Sequence, residues 1–212
     1  MDRKYPATVA VLVALTLVSV GCASKTVAPA TKPAKAGGAA AATATGAVAS
    51  QQPVAPETNP PGDIPDNQAF VAYAATGGFS VKVPEGWSRQ VAASGAEFTD
   101  KLNTIRVAWA SAASAPTVAS VQSVDVPKLQ ASEAAFKLSG VSAATLPAGP
   151  AVLVKYQENS APNSVTGKQY RLDVLRYTVF KNGTRMDLTL LSPVGADNVD
   201  PWKIVTQSLT WK

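Results

Sequence analysis

Gly78-Phe79-Ser80-Val81-Lys82-Val83-Pro84-Glu85-Gly86-Trp87 decides the fold class. Phe79, Val81 and Val83 alternate with polar residues at period two, the pattern of a strand with one buried face. Pro84-Glu85-Gly86 then closes it with a turn, because proline presets φ and glycine accepts positive φ.

The same alternation recurs downstream. Phe98 and Ile105–Trp109 flank Asp100-Lys101-Leu102-Asn103, which predicts a hairpin, and Val152–Tyr156 reads as a further strand. Arg171–Phe180 and Met186–Leu190 flank Lys181-Asn182-Gly183-Thr184. Asn-Gly between two β-prone runs is a strong hairpin signal, since both central residues must take positive φ. Two helices are expected. One runs from about Thr117 to Glu133 and is interrupted near Pro127; the other opens at Asp200-Pro201, with Asp200 as its cap. Val199, Trp202, Val205 and Leu209 share one face of the second at helical spacing. Short turns between strands, with helices set between hairpin groups, give an α+β fold: a central antiparallel β-sheet flanked by helices.

Upstream of this domain (residues 63–212) lie two segments of different character. Arg3 and Lys4 precede Ala7–Val20, an uncharged apolar run. As a helix these residues rise only about 21 Å, too short for a hydrocarbon core of about 30 Å but right for a signal sequence. Ser19-Val20-Gly21-Cys22 follows, and it is similar to the lipobox of bacterial lipoproteins, with Ser19 standing where leucine is commoner. The resemblance implies residues 1–21 as signal peptide, cleavage between Gly21 and Cys22, and lipid on the Cys22 sulfur. Two or more acyl chains anchor stably to a membrane where one binds reversibly.

From Ala23 to Gly62 no aromatic residue, Leu, Ile or Met occurs, and Ala, Pro, Thr, Gly and Lys dominate. Such a stretch buries too little apolar surface to offset its ordering entropy. Residues 22–62 are therefore expected to be a disordered tether, either a plain spacer or one carrying sugars on its threonines.

Charge and composition narrow the function classes. The chain carries a net charge of +5, yet Arg3, Lys4, Lys25, Lys32 and Lys35 all precede the domain. The near balance left in the domain argues against a nucleic-acid partner. With no histidine, Ser-His-Asp triads and histidine metal sites are excluded. Cys22 is the single cysteine, so its lipidation leaves no thiol for catalysis. A Ser–Lys pair has no local signature. Asp197, Asn198 and Asp200 lack the spacing of a calcium loop, and Glu97 with Asp100 reads as turn residues before an acid pair. Gly77-Gly78 precedes a strand rather than opening a helix, the wrong context for a phosphate loop. No metal, cofactor or catalytic set is expected. Arg171, Arg176, Lys181 and Arg185 fall in one hairpin and form a candidate anion-binding edge, or else guard an exposed strand against pairing. Trp87, Trp109, Trp202 and Trp211 are expected in the core rather than around a ligand.

Phe70-x-x-Tyr73, Gly78–Trp87, Phe98-Thr99-Asp100-Lys101-Leu102 and a terminal helix ending Ser208-Leu209-Thr210-Trp211 together resemble PsbP-like domains, and among them the LpqN-type lipoproteins of actinobacteria. The resemblance implies an α/β/α arrangement, a non-catalytic binding or assembly role for an envelope or protein partner, and a place on the outer face of the cytoplasmic membrane. The alternative is a small-ligand or lipid carrier with an apolar pocket between sheet and helices.

Overall fold

The computed structural model describes residues 50–212. The signal peptide, Gly21, Cys22 and the tether as far as residue 49 lie outside the described residues.

Gly78–Trp87 folds as expected. Strand β2 (Phe79–Pro84) lies between β1 (Phe70–Ala74) and the terminal β10 (Thr210–Trp211), opposing Tyr73 to Val81 and Trp211 to Phe79. Gly86 takes φ +83° in the turn after β2, a region open to glycine at little cost. Gly77 serves a different need: a Cβ there would sit 2.7 Å from Cγ of Trp109, so its absence lets the indole lie against the chain.

The main sheet has seven antiparallel strands. In chain order they are β3 (Ser88–Ala92), β4 (Gly95–Asp100), β5 (Asn103–Ser111), β6 (Lys137–Leu146), β7 (Gly149–Asn159), β8 (Arg171–Lys181) and β9 (Thr184–Pro193). In space they run β3-β4-β5-β9-β8-β7-β6. Asn182 (φ 51°) and Gly183 (φ 75°) turn the β8–β9 hairpin, and Lys101 (φ 52°) turns β4 into β5.

Each face of this sheet carries its own core. On one face Ile105, Val107, Met186, Leu188 and Leu190 meet Phe79, Val81 and Val83 of the small sheet, with Trp202, Val205 and Leu209. On the other, Val121, Val126 and Leu129 pack on Val152, Val154, Tyr156, Leu172, Val174 and Leu191. The flanking layers are therefore unequal: helices alone on one side, a helix plus a three-stranded sheet on the other.

Helix α1 (Val118–Ser120) is capped by Thr117, whose side chain accepts from Ser120 N at 3.0 Å. A π-helical turn (Val121–Asp125) joins it to α2 (Val126–Ser132). The expected interruption at Pro127 thus falls just ahead of the proline, which lacks an N–H and crowds the carbonyl four residues back.

Helix α3 (Val199–Gln207) corrects two expectations. Its cap position is Asn198 rather than Asp200, which instead places its carboxylate in the first turn, where the helix dipole favours it. Val199 is 72% exposed and leaves the buried face to Trp202, Val205 and Leu209.

Asn198 caps nothing because its side chain is used elsewhere. Its Oδ1 accepts from Ile64 N at 2.8 Å, while its Nδ2 donates to Gly62 O at 3.0 Å and to Asn103 Oδ1 at 3.1 Å. Asn103 Nδ2 donates to the same Gly62 carbonyl at 2.6 Å. Further upstream, Val54 N donates to Asn159 Oδ1 at 3.1 Å and Asn159 Nδ2 to Gln52 O at 2.8 Å. Gln51–Gly62, the last part of the expected tether, is therefore hydrogen-bonded to the globular part. Backbone groups do the bonding, which explains how a stretch so poor in large apolar residues is held. Asn198→Ala is expected to cost about 1–3 kcal/mol, because it strands buried partners. Urea denaturation would read this, and a loss indistinguishable from zero would deny the hub its role.

Candidate functional site

At the end of the sheet where Gln51 and Gln52 join, two neighbouring clefts of about 320 and 330 Å³ open on the face that carries α1 and α2. Arg106, Glu158, Ser160 and Ala161 line both. Lys101, Lys168 and Tyr170 complete the first; Gln51, Glu133 and Gln169 complete the second.

Strand periodicity aims Glu158 inward. Val152, Val154 and Tyr156 are buried at alternate positions of β7, and Glu158 is the next in that row, only 8% exposed. Glu133, just past the end of α2, meets it as a hydrogen-bonded neighbour. Two carboxylates that close cannot both ionise cheaply. Burial first, and then Glu133, push the Glu158 carboxyl up to about 8, against the pull of Arg106 and Arg171. At neutral pH the pair therefore holds one proton between them. Its other neighbours are fixed. Ser132 Oγ donates to Glu133 Oε1 at 2.9 Å, and Arg106 Nε donates to Glu97 Oε2 at 2.7 Å. Glu158 Oε2 is buried with no donor among the described groups other than a proton on the pair. Burial, Glu158 and Glu133 together drive the Tyr156 hydroxyl well above its ordinary range, so it stays protonated.

The basic hairpin residues do not assemble. Arg171 and Lys181 stand at opposite ends of β8, roughly 33 Å apart along a strand. Arg171 is buried and donates through Nη1 to Ala135 O (2.8 Å) and Asn159 Oδ1 (3.1 Å). Arg176 pairs with Asp187 at 2.9 Å; Arg185 pairs with Asp125 and Asp187, each at 3.1 Å. Lys181 alone is exposed in the turn. β8 and β9 are also interior strands, so neither supplies an edge.

Of the other candidates, Glu97 is paired with Arg106 and Asp100 sits at the hairpin end. Asp197 N donates to Asp63 Oδ1 at 2.9 Å. The four tryptophans are packing groups: Trp87 meets Trp202 edge-on at 6.4 Å, and Trp109 and Trp211 flank Phe79 at 5.4 and 6.0 Å.

This order of strands and layers is found in known proteins. Cyanobacterial PsbP (CyanoP) of Synechocystis sp. PCC 6803 aligns with 73% of this chain and 100% of its own, at 13% identity and a TM-score of 0.50. The fold is PsbP-like. LpqN of Mycobacterium tuberculosis, described as involved in cell envelope biogenesis, is also similar, with 17% identity over 68% of this chain and 85% of its own and a TM-score of 0.43. The Saccharomyces cerevisiae Ran-binding protein Mog1p matches at 9% identity, covering 68% of this chain and 96% of its own, TM-score 0.45. No protein-family model and no curated protein matches the chain. At these identities the PsbP-like fold is shared and the chemistry of the site is this chain's own.

Proposed function

We propose that the chain is a lipoprotein anchored through Cys22 outside the cytoplasm, and that its PsbP-like domain binds an envelope partner rather than catalysing a reaction. The observation that carries this reading is the placement of the cleft. The segment leading from the proposed anchor forms part of its wall, with Gln51 hydrogen-bonded to Gln169 Nε2 at 3.0 Å. A leash joined at the binding cleft confines that cleft to the neighbourhood of the membrane, which raises the effective concentration of membrane-borne partners. Within the cleft the two carboxyls engage each other, an arrangement that holds a proton.

The alternative, a carrier with an apolar pocket between sheet and helices, is less favoured, because Val121, Val126 and Leu129 fill that space. No helix among the described residues is long and apolar enough to cross a membrane.

Two measurements test the proposal. Cys22→Ser is expected to release the protein from the membrane fraction and abolish lipid labelling; unchanged labelling would remove the anchor. A photo-crosslinking residue at Ala161, exposed at the junction of the clefts, should capture one partner reproducibly in living cells. Capture of unrelated neighbours only would count against a dedicated binding role.

A further inference from the structure

We propose that the cleft between Glu133, Glu158 and Gln51 receives one primary ammonium group, the kind carried by a lysine side chain of a partner. The inference rests on reading this cleft as the binding site.

The charges set the requirement. Glu133 and Glu158 bring two carboxyls to one cleft of about 330 Å³, and Arg106 is the cation on its wall. Arg106 is already committed: although burial opposes its charge, its hydrogen bond and ion pair with Glu97 hold it in the charged state. Arg171, behind Glu158, spends Nη1 on Ala135 O and Asn159 Oδ1. Glu97, Glu133 and Glu158 against Arg106 and Arg171 leave the ionised cluster one positive charge short. Lys168 does not supply it, since it is paired with Glu57 and lies 4.6 Å from the Tyr170 ring centre in the neighbouring cleft. Lys101 is exposed on the far rim of that same cleft.

The geometry selects the kind of cation. Glu158 is nine-tenths buried, lines the cleft and has an oxygen without a donor. Gln51, Ser132, Asn159, Ser160 and Gln169 add neutral polar groups around it. An ammonium brings three donors and one charge. Calcium would want six to eight oxygens and would face Arg106. Among the described residues no cluster of three metal-ligating side chains is present. The exchange balances: a protonated carboxyl pair and R–NH₃⁺ give the ammonium–dicarboxylate complex and one H⁺. Tyr156, on the same strand face as Glu158, stays protonated throughout.

The test is calorimetric titration of the full chain in detergent with Nα-acetyl-lysine amide at pH 7, in two buffers of different ionisation enthalpy. Binding with Kd near ~1 mM is expected, with release approaching about one proton per ammonium bound. Glu158→Gln and Glu133→Gln should each weaken binding about tenfold or more and abolish the proton release. The glutamine at position 158 mimics the protonated acid, so that variant keeps the fold. The Nε-acetylated probe should not bind. Tighter binding of glucosamine than of the lysine probe would assign the same ammonium chemistry to a sugar amine instead. Equal binding of the two lysine probes, no proton release, or saturation by calcium chloride alone would overturn the proposal. If crosslinking at Ala161 captures a partner through a surface without lysine, the binding role stands and the ammonium assignment falls.

Discussion

Phe79→Ala is expected to destabilise the domain by about 3–5 kcal/mol, a large part of the stability of an ordinary domain. Phe79 is fully buried and lies where three layers meet: β2 carries it, Trp211 of β10 opposes it, and Trp109 of the main sheet packs edge-on at 5.4 Å. Truncation removes apolar surface and leaves a cavity whose walls are two rigid indoles, which cannot collapse to fill it. Urea denaturation followed by tryptophan fluorescence should show a midpoint lower by about 1–3 M. Phe79→Leu should lose much less, since it keeps most of the volume. A loss below about 1 kcal/mol for the alanine variant would mean that the small sheet contributes little to folding.

The second large effect concerns pH. Glu158 holds its proton to about pH 8 in the folded protein but releases it near 4.5 when unfolded. Between those values the folded state binds the extra proton, so this residue's contribution is complete below 4.5 and is lost as pH rises toward 8. The corresponding slope is about 1.4 kcal/mol per pH unit within the window. The groups facing it are Glu133, Arg106, Arg171 and Tyr156. Glu158→Gln should flatten the profile and be more stable than the parent at pH 8. Denaturation of both proteins at pH 5, 6.5 and 8 checks this; parallel profiles would show that Glu158 ionises normally.

Much of the fold was legible because its signals are local. Asn182-Gly183 must take positive φ, and Phe79, Val81 and Val83 alternate strictly. Strands with weak alternation were missed. β6 is rich in small residues and carries a bulge between Leu138 and Gly140, while all five residues of β3 are exposed. The site was less legible. Arg171, Arg176, Lys181 and Arg185 are neighbours in sequence, but a long hairpin separates its ends and most of their charge is spent on Asp125, Asp187 and backbone oxygen. Glu133 and Glu158 are remote in sequence and meet only when α2 lies on β7. One signal was present: Glu158 continues the inward row of Val152, Val154 and Tyr156, and a carboxylate in such a row needs an explanation.

The order β3-β4-β5-β9-β8-β7-β6 has a kinetic consequence. β5 is hydrogen-bonded to β9, with Ser111 opposite Thr184, and β2 waits for Trp211, the penultimate residue of the chain. Closing such distant pairs costs loop entropy before any packing repays it. A nascent chain ending before β9 has half a sheet with an open edge and no partner for Phe79. Folding therefore belongs to the completed polypeptide, and a chain that stays unfolded until its last residues emerge is one that can still be threaded through a pore.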